Sequence, residues 1–175
     1  MQMHPESFWL TLPETLVDRL GLPRAAVIDG LRGVSRALKT VSAVALMCDP
    51  RDLGRTLGDG SGTSLEEEDR QASPPAGRNP HAGRTGSLNP TVFLFDAIPG
   101  GVGLAPRIYE RAEELLEQAQ RLIGHCACIA GCPACVGPGD ESSTRKRSAQ
   151  RILEALDLVN PSSAALRVAT SQPRP

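Results

Sequence analysis

Four of the chain's five cysteines fall inside ten positions, in the run Cys126-x-Cys128-x-x-Gly131-Cys132-Pro133-x-Cys135. A segment this short has to turn sharply if its thiols are to converge. Gly131 tolerates unusual dihedrals and Pro133 fixes its own φ, so the turn chemistry is present. Four converging sulfurs with no other ligand type make a closed, structural site, and zinc is the first candidate. A disulfide pair, buried free thiols and an iron–sulfur cluster are the competing readings. Cys132-x-x-Cys135 has the ordinary two-residue gap of zinc sites, whereas Cys126-x-Cys128 is one residue tighter. The gaps of one, three and two residues do not follow a ferredoxin run. The adjacent His125 is a candidate substitute ligand, a hydrogen-bond donor to a sulfur, or simply a solvated histidine at the helix end. Cys48, far upstream behind Leu46 and Met47, reads as a buried core thiol.

A chain of 175 residues suffices for one domain and is short for two. Aromatic residues make up only 3%, so the core has to be built from Leu, Val, Ile and Ala. The formal charge of −1 leaves the cysteines out, and four thiolates with a divalent metal would add about −2. That balance argues against a long-range cationic field drawing the chain onto nucleic acid, although local patches remain open. Residues 1–20 alternate apolar positions with Pro, Glu, Thr and Asp, unlike a signal peptide, and no apolar run approaches a membrane span. The expectation is a cytoplasmic protein with no membrane contact. In that reducing compartment metal explains clustered cysteines better than disulfides do.

Residues 1–160 read as a single domain of α+β class, a small sheet flanked by helices with the cysteine knuckle between the two C-terminal helices. Phe8 to Leu12 reads as a strand, and Pro13 opens a helix carrying Leu16, Val17 and Leu20 that Gly21 ends. A second helix starts near Pro23 and places Val27, Leu31, Val34, Leu38 and Val41 at helical spacing. Gly30 and Gly33 inside it cost helix propensity, which predicts a close approach by another element. Thr91 to Asp96 is a strand by its β-branched and aromatic content. One helix is expected from Pro106 to Ile123, with Glu117 and Arg121 supporting it four residues apart. A last helix runs from about Ser143 to Leu158, capped by Ser142 or Ser143, and buries Ala149, Ile152, Leu153 and Leu156. Between them, residues 59–88 are rich in Gly, Ser, Pro and Asn and carry the acidic run Glu66 to Asp69, which predicts a mobile internal loop. Residues 161–175 read as a disordered tail, with at most weak docking at Ala164 to Val168.

Three polar constellations are candidates for function. Asp96 closes a strand and is followed by Pro99-Gly100-Gly101-x-Gly103 and a helix, so Gly100, Gly101 and Gly103 form a candidate anion-binding turn. The lysine and hydroxyl of a Walker A loop are missing from it. Asp49 and Asp52 are candidates for acid–base work or for a divalent cation, and equally for a cap and an ion pair with Arg51 or Arg55. Arg145, Lys146, Arg147 and Arg151 lie at the start of the last helix, where they are candidate phosphate contacts or a solvated face.

These blocks together resemble the zinc-binding carboxy-terminal domain of superfamily 2 DNA helicases related to the mitomycin-repair helicase. The resemblance rests on Trp9-Leu10, on Leu46 to Gly54, on Phe95-Asp96-x-x-Pro99-Gly100-Gly101-x-Gly103, on the cysteine knuckle and on Lys146. It covers most of residues 7–158. It implies zinc on Cys126, Cys128, Cys132 and Cys135, a DNA helicase motor in the same or a separate chain as partner, DNA nearby and a place in DNA repair. The chain has no Walker A lysine motif, no Asp-Glu-x-His box and no arginine-finger motif, and a domain unable to hold ATP and magnesium cannot translocate alone. The expected function is a non-catalytic accessory domain. The alternatives are a metal-dependent phosphoesterase-like enzyme using Asp49, Asp52 and Asp96, and a protein-interaction scaffold.

Overall fold

The computed structural model describes residues 6–58, 89–138, 144–158 and 165–170. The expected mobile loop 59–88 and the proposed caps Ser142 and Ser143 lie outside them. Four strands of the described residues, β1 (Glu6–Thr11), β2 (Leu53–Gly58), β3 (Thr91–Asp96) and β4 (Ala165–Thr170), form one antiparallel sheet in the order β2-β3-β1-β4. Among the described residues five helices accompany it: α1 (Glu14–Leu20), α2 (Arg24–Leu46), α3 (Leu104–Glu110), α4 (Ala112–His125) and α5 (Arg145–Leu158).

The sheet's two faces follow the period-two pattern of its strands. Phe8 and Leu10 of β1, Leu53 and Leu57 of β2, and Val92 and Leu94 of β3 are buried toward the helices. Trp9 and Phe93 are register partners on the opposite face, where their rings meet edge to face at 6.0 Å. Phe95 lies over its partner Gly54, whose absent side chain makes room for the ring.

α2 is the spine of the molecule. Its buried stripe, including Val27, Leu31, Val34, Leu38 and Val41, packs along α4 and α5 and across β2 and β3. The two glycines are where neighbours come closest. A Cβ on Gly30 would lie 2.7 Å from Ser148 Cβ, and one on Gly33 would lie 3.0 Å from Val136 Cβ. Gly21 ends α1 in the left-handed region at φ 57°, its amide bonded to Asp18 O.

Three expectations need correction. The helix from Pro106 to Ile123 is two helices, starting at Leu104 and broken at Arg111. Arg111 leaves the helical region (φ −112°, ψ 18°), and its side chain ties the corner by donating to Ala45 O and to the Glu114 carboxylate. Residues 165–170, read as part of a disordered tail, form β4 and pair with β1 along its whole length. Leu53 to Gly58, not recognised as a strand, is the sheet edge β2.

Candidate metal centre

The cysteine run begins where α4 stops. Cys126 caps that helix in an extended conformation (φ −68°, ψ 126°) and turns the chain away. Cys132, Pro133, Ala134 and Cys135 then form a turn, with the amides of Cys135 and Gly137 both bonded to Cys132 O at 3.1 and 2.9 Å. Gly131 and Gly137 carry positive φ of 140° and 93°, conformations that glycine adopts without strain. Ile129, at the tip between the two cysteine pairs, is 97% exposed, so the knuckle projects from the helices.

All four thiols converge. Their sulfurs lie within 4.8 Å of one another. The pairs Cys126–Cys132, Cys128–Cys135 and Cys132–Cys135 are 3.5, 3.4 and 3.6 Å apart. A disulfide would need about 2.05 Å. Sulfurs at the corners of a tetrahedron around zinc stand about 3.8 Å apart, given a zinc–sulfur bond of about 2.3 Å. The observed spacing is a slightly contracted version of the second geometry. Four soft sulfur donors with no open position suit zinc in a structural site. Without a cation such a cluster holds its protons unequally. Burial, with hydrogen bonding to Cys135, pushes the Cys128 thiol up to about 12, while a hydrogen bond from Cys126 lowers Cys132 to about 7.

The knuckle is docked on two helices. Val136 packs against Gly33 of α2, and Arg36 of α2 donates to Pro133 O from Nε and Nη2 at 3.2 and 3.1 Å. Lys146 of α5 is nearly buried, and its Nζ donates to the carbonyls of Cys126 and Cys128, each at 2.6 Å. His125 is exposed and stands outside the ligand group. Cys48 is remote from it and only half-buried, not the core thiol expected; burial, then Asp52, raises its pKa.

The basic cluster on α5 divides in two. Arg145 pairs with Asp29 of α2 at 2.7 Å and also donates to Pro138 O. Lys146 is committed to the knuckle. Arg147 is exposed, and Arg151 is exposed with one hydrogen bond to Leu20 O. A second cationic region, unforeseen from the sequence, lines a cavity of about 670 Å³ on α2 and β2 with Arg36, Lys39 and Arg55. Burial there, then Arg55 and Arg36, lowers the pKa of Lys39.

The glycine turn does hold an anion, but the anion is the chain's own. Buried Asp96 accepts from the amides of Val102, Gly103 and Leu104 at 3.0, 3.0 and 3.1 Å, and so caps α3. Asp49 is drawn into a hydrogen-bonded pair with Arg51 that holds its carboxyl down at about 2. Among the described residues only the four cysteines form a group of three or more metal-ligand side chains. Asp49, Asp52 and Asp96 therefore make no metal site together.

The model of the MrfA zinc-binding domain matches residues 34–136, which include all four cysteines. The chain belongs to the MrfA zinc-binding domain family. The resemblance carried by the cysteine and glycine blocks is thereby borne out, and so is zinc as the cofactor. The chain is 31% identical over 156 residues to YprA of Bacillus subtilis, described as an uncharacterized ATP-dependent helicase. That match takes in 89% of this chain and 17% of YprA. It is 42% identical over 45 residues to the protein MJ1572.1 of Methanocaldococcus jannaschii, covering 26% of this chain and 40% of the relative. The crystal structure of the DUF1998 helicase MrfA bound to DNA superposes with a TM-score of 0.56 at 27% identity, over 77% of this chain and 15% of the helicase. MrfA bound to DNA and AMPPNP gives 0.50 at 27% identity, over 83% and 15%. The chain thus spans about a sixth of the length of the helicases it matches. No described helix is long and apolar enough to cross a membrane.

Proposed function

We propose that this chain is a zinc-stabilised accessory domain of a DNA helicase, catalysing no step itself and working with a motor in the same or a separate chain. The observation that carries this reading is the extent of the match: 89% of the chain aligns with a protein described as an uncharacterized ATP-dependent helicase. Cys126, Cys128, Cys132 and Cys135 are the four zinc ligands in this reading. Zinc is then structural: it fixes α4 to α5 through the knuckle, and a loop of small residues offers no comparable apolar area. Chemistry would have to come from elsewhere, because Asp49 is used on Arg51 and Asp96 on the turn ahead of α3. Arg147 and Arg151 are the members of the α5 cluster open to a phosphate backbone. A cytoplasmic location fits such a role.

Replacing the matching segment of YprA by this chain tests the assignment. DNA-stimulated ATP hydrolysis should persist in the chimera and be lost when the segment is deleted. The isolated chain should hydrolyse no ATP with or without DNA. A folded, zinc-loaded chimera no more active than the deletion would overturn the accessory role, and a DNA-stimulated ATPase in the isolated chain would overturn its non-catalytic character.

A further inference from the structure

We infer that Lys146 is the counter-cation of the zinc centre, a positioning residue whose charge offsets the four thiolates and whose hydrogen bonds set the tight Cys126-x-Cys128 hairpin. This rests on the four cysteines being the zinc ligands.

Three observations converge on Lys146. It is 8% exposed, and among the described residues its ammonium meets no carboxylate, only the two carbonyl oxygens of Cys126 and Cys128. A buried ammonium with neutral partners alone is costly, so a negative charge nearby is expected. It also stands second in α5, at the end where the helix dipole is positive and a cation is disfavoured. The neighbouring Arg145 meets that difficulty with Asp29, and among the described residues Lys146 has no such partner. Finally, both of its acceptors belong to cysteines of the knuckle, from the half with the spacing unusual for zinc.

Zinc with four thiolates supplies the missing charge, since two positive charges against four negative leave a net of about −2. Lysine and centre then stabilise each other: loading with zinc makes Lys146 cheaper to bury, and Lys146 makes the thiolates cheaper to form. The two carbonyl bonds hold the backbone of Cys126 and Cys128 so that both sulfurs face inward, despite the single residue between them. Arg36 does the corresponding job for the other half through Pro133 O, from a different helix. Lys146 is consequently unavailable to nucleic acid.

The test compares the zinc-loaded chain with Lys146→Met, which keeps the stem and removes the charge, and Lys146→Arg, which keeps the charge. Lys39→Met serves as a basic-residue control away from the knuckle. Zinc affinity by chelator competition should fall about 10–100-fold in Lys146→Met, the usual range for loss of a partner behind the ligands. Zinc release to a chromogenic chelator should accelerate in parallel, and that rate needs only loaded protein. Lys146→Arg should recover most of the loss, and Lys39→Met should match the wild type. With cobalt in place of zinc, the sulfur-to-metal charge-transfer band should move to longer wavelength in Lys146→Met, because removing a cation raises the energy of the sulfur lone pairs. Unchanged affinity and release in Lys146→Met would overturn the inference. So would a loss of affinity in which the cobalt band stays in place, since that describes packing and not charge. A wild-type chain holding no zinc would instead defeat the ligand assignment itself.

Discussion

At the scale of single residues, the convergence of the four thiols was legible because cysteine spacing is local. Four thiols within ten positions constrain one another however the rest of the chain folds. The partners of those thiols were not legible. Lys146 lies eighteen residues beyond Cys128, and nothing in a run of basic side chains says which one turns inward. Asp96 was hidden in the same way: a carboxylate ahead of a glycine turn looks like catalytic equipment until its three amide donors are seen. The two classes of cysteine should behave differently when replaced. Cys132→Ser removes one of the four proposed ligands and should cost several kcal/mol, on the scale of losing a structural metal. Cys48→Ser alters a half-buried thiol outside the cluster and should cost about 1 kcal/mol or less. Thermal melts of the two variants beside elemental zinc analysis check this, with about one zinc per chain retained only by Cys48→Ser.

Among elements, those with a strong internal period were readable and those defined by their neighbours were not. α2 carries its apolar stripe through six turns, and β3 is rich in aromatic and β-branched residues, so both declare themselves. β2 has glycine at its second and last positions and only Leu53 and Leu57 to bury, so its strand character comes from pairing with β3. β4 likewise exists by pairing with β1. The break at Arg111 is invisible to periodicity because the buried positions continue across it, from Ile108 to Ala112 and Leu115. The glycines of α2 lead to a sharper expectation. In an open helix Gly30→Ala would gain about 1 kcal/mol. Here the new methyl would meet Ser148 Cβ at 2.7 Å and Ser148 backbone carbon at 3.0 Å, and forcing two helices apart costs about 1–3 kcal/mol. The substitution should therefore be destabilising by about 1 kcal/mol net, lowering the melting temperature by about 2–4 °C. A stabilised Gly30→Ala variant would show that α2 and α5 do not pack this closely.

For the whole molecule, zinc and nucleic acid make separate demands. The knuckle joins three helices through four sulfurs, Lys146 and Arg36, so stripping the metal should loosen the packing of α4 and α5 on α2. Because thiols must ionise to bind, loading should release protons, and a chelator should act more effectively as pH falls. Isothermal titration of the metal-free chain in buffers of different ionisation enthalpy measures that release. A pH-independent affinity would exclude thiolate ligation. DNA binding by the free chain should be weak, since a formal charge of −1 leaves no surplus to collect counterions. Of the basic residues on α5 only Arg147 and Arg151 are exposed, and two phosphate contacts give a log–log salt slope of about −2 on duplex DNA and about −1.4 on single strands. Changing both arginines to alanine should remove that slope and weaken all sequences equally, because phosphate contacts carry no base information. Lys146→Met, by contrast, should leave the slope alone while loosening zinc. Fluorescence anisotropy on both forms of DNA at two salt concentrations separates the cases. If the double arginine variant keeps its affinity and slope, the DNA contact belongs instead to the cations around Lys39, whose cavity opens on the face formed by α2 and β2.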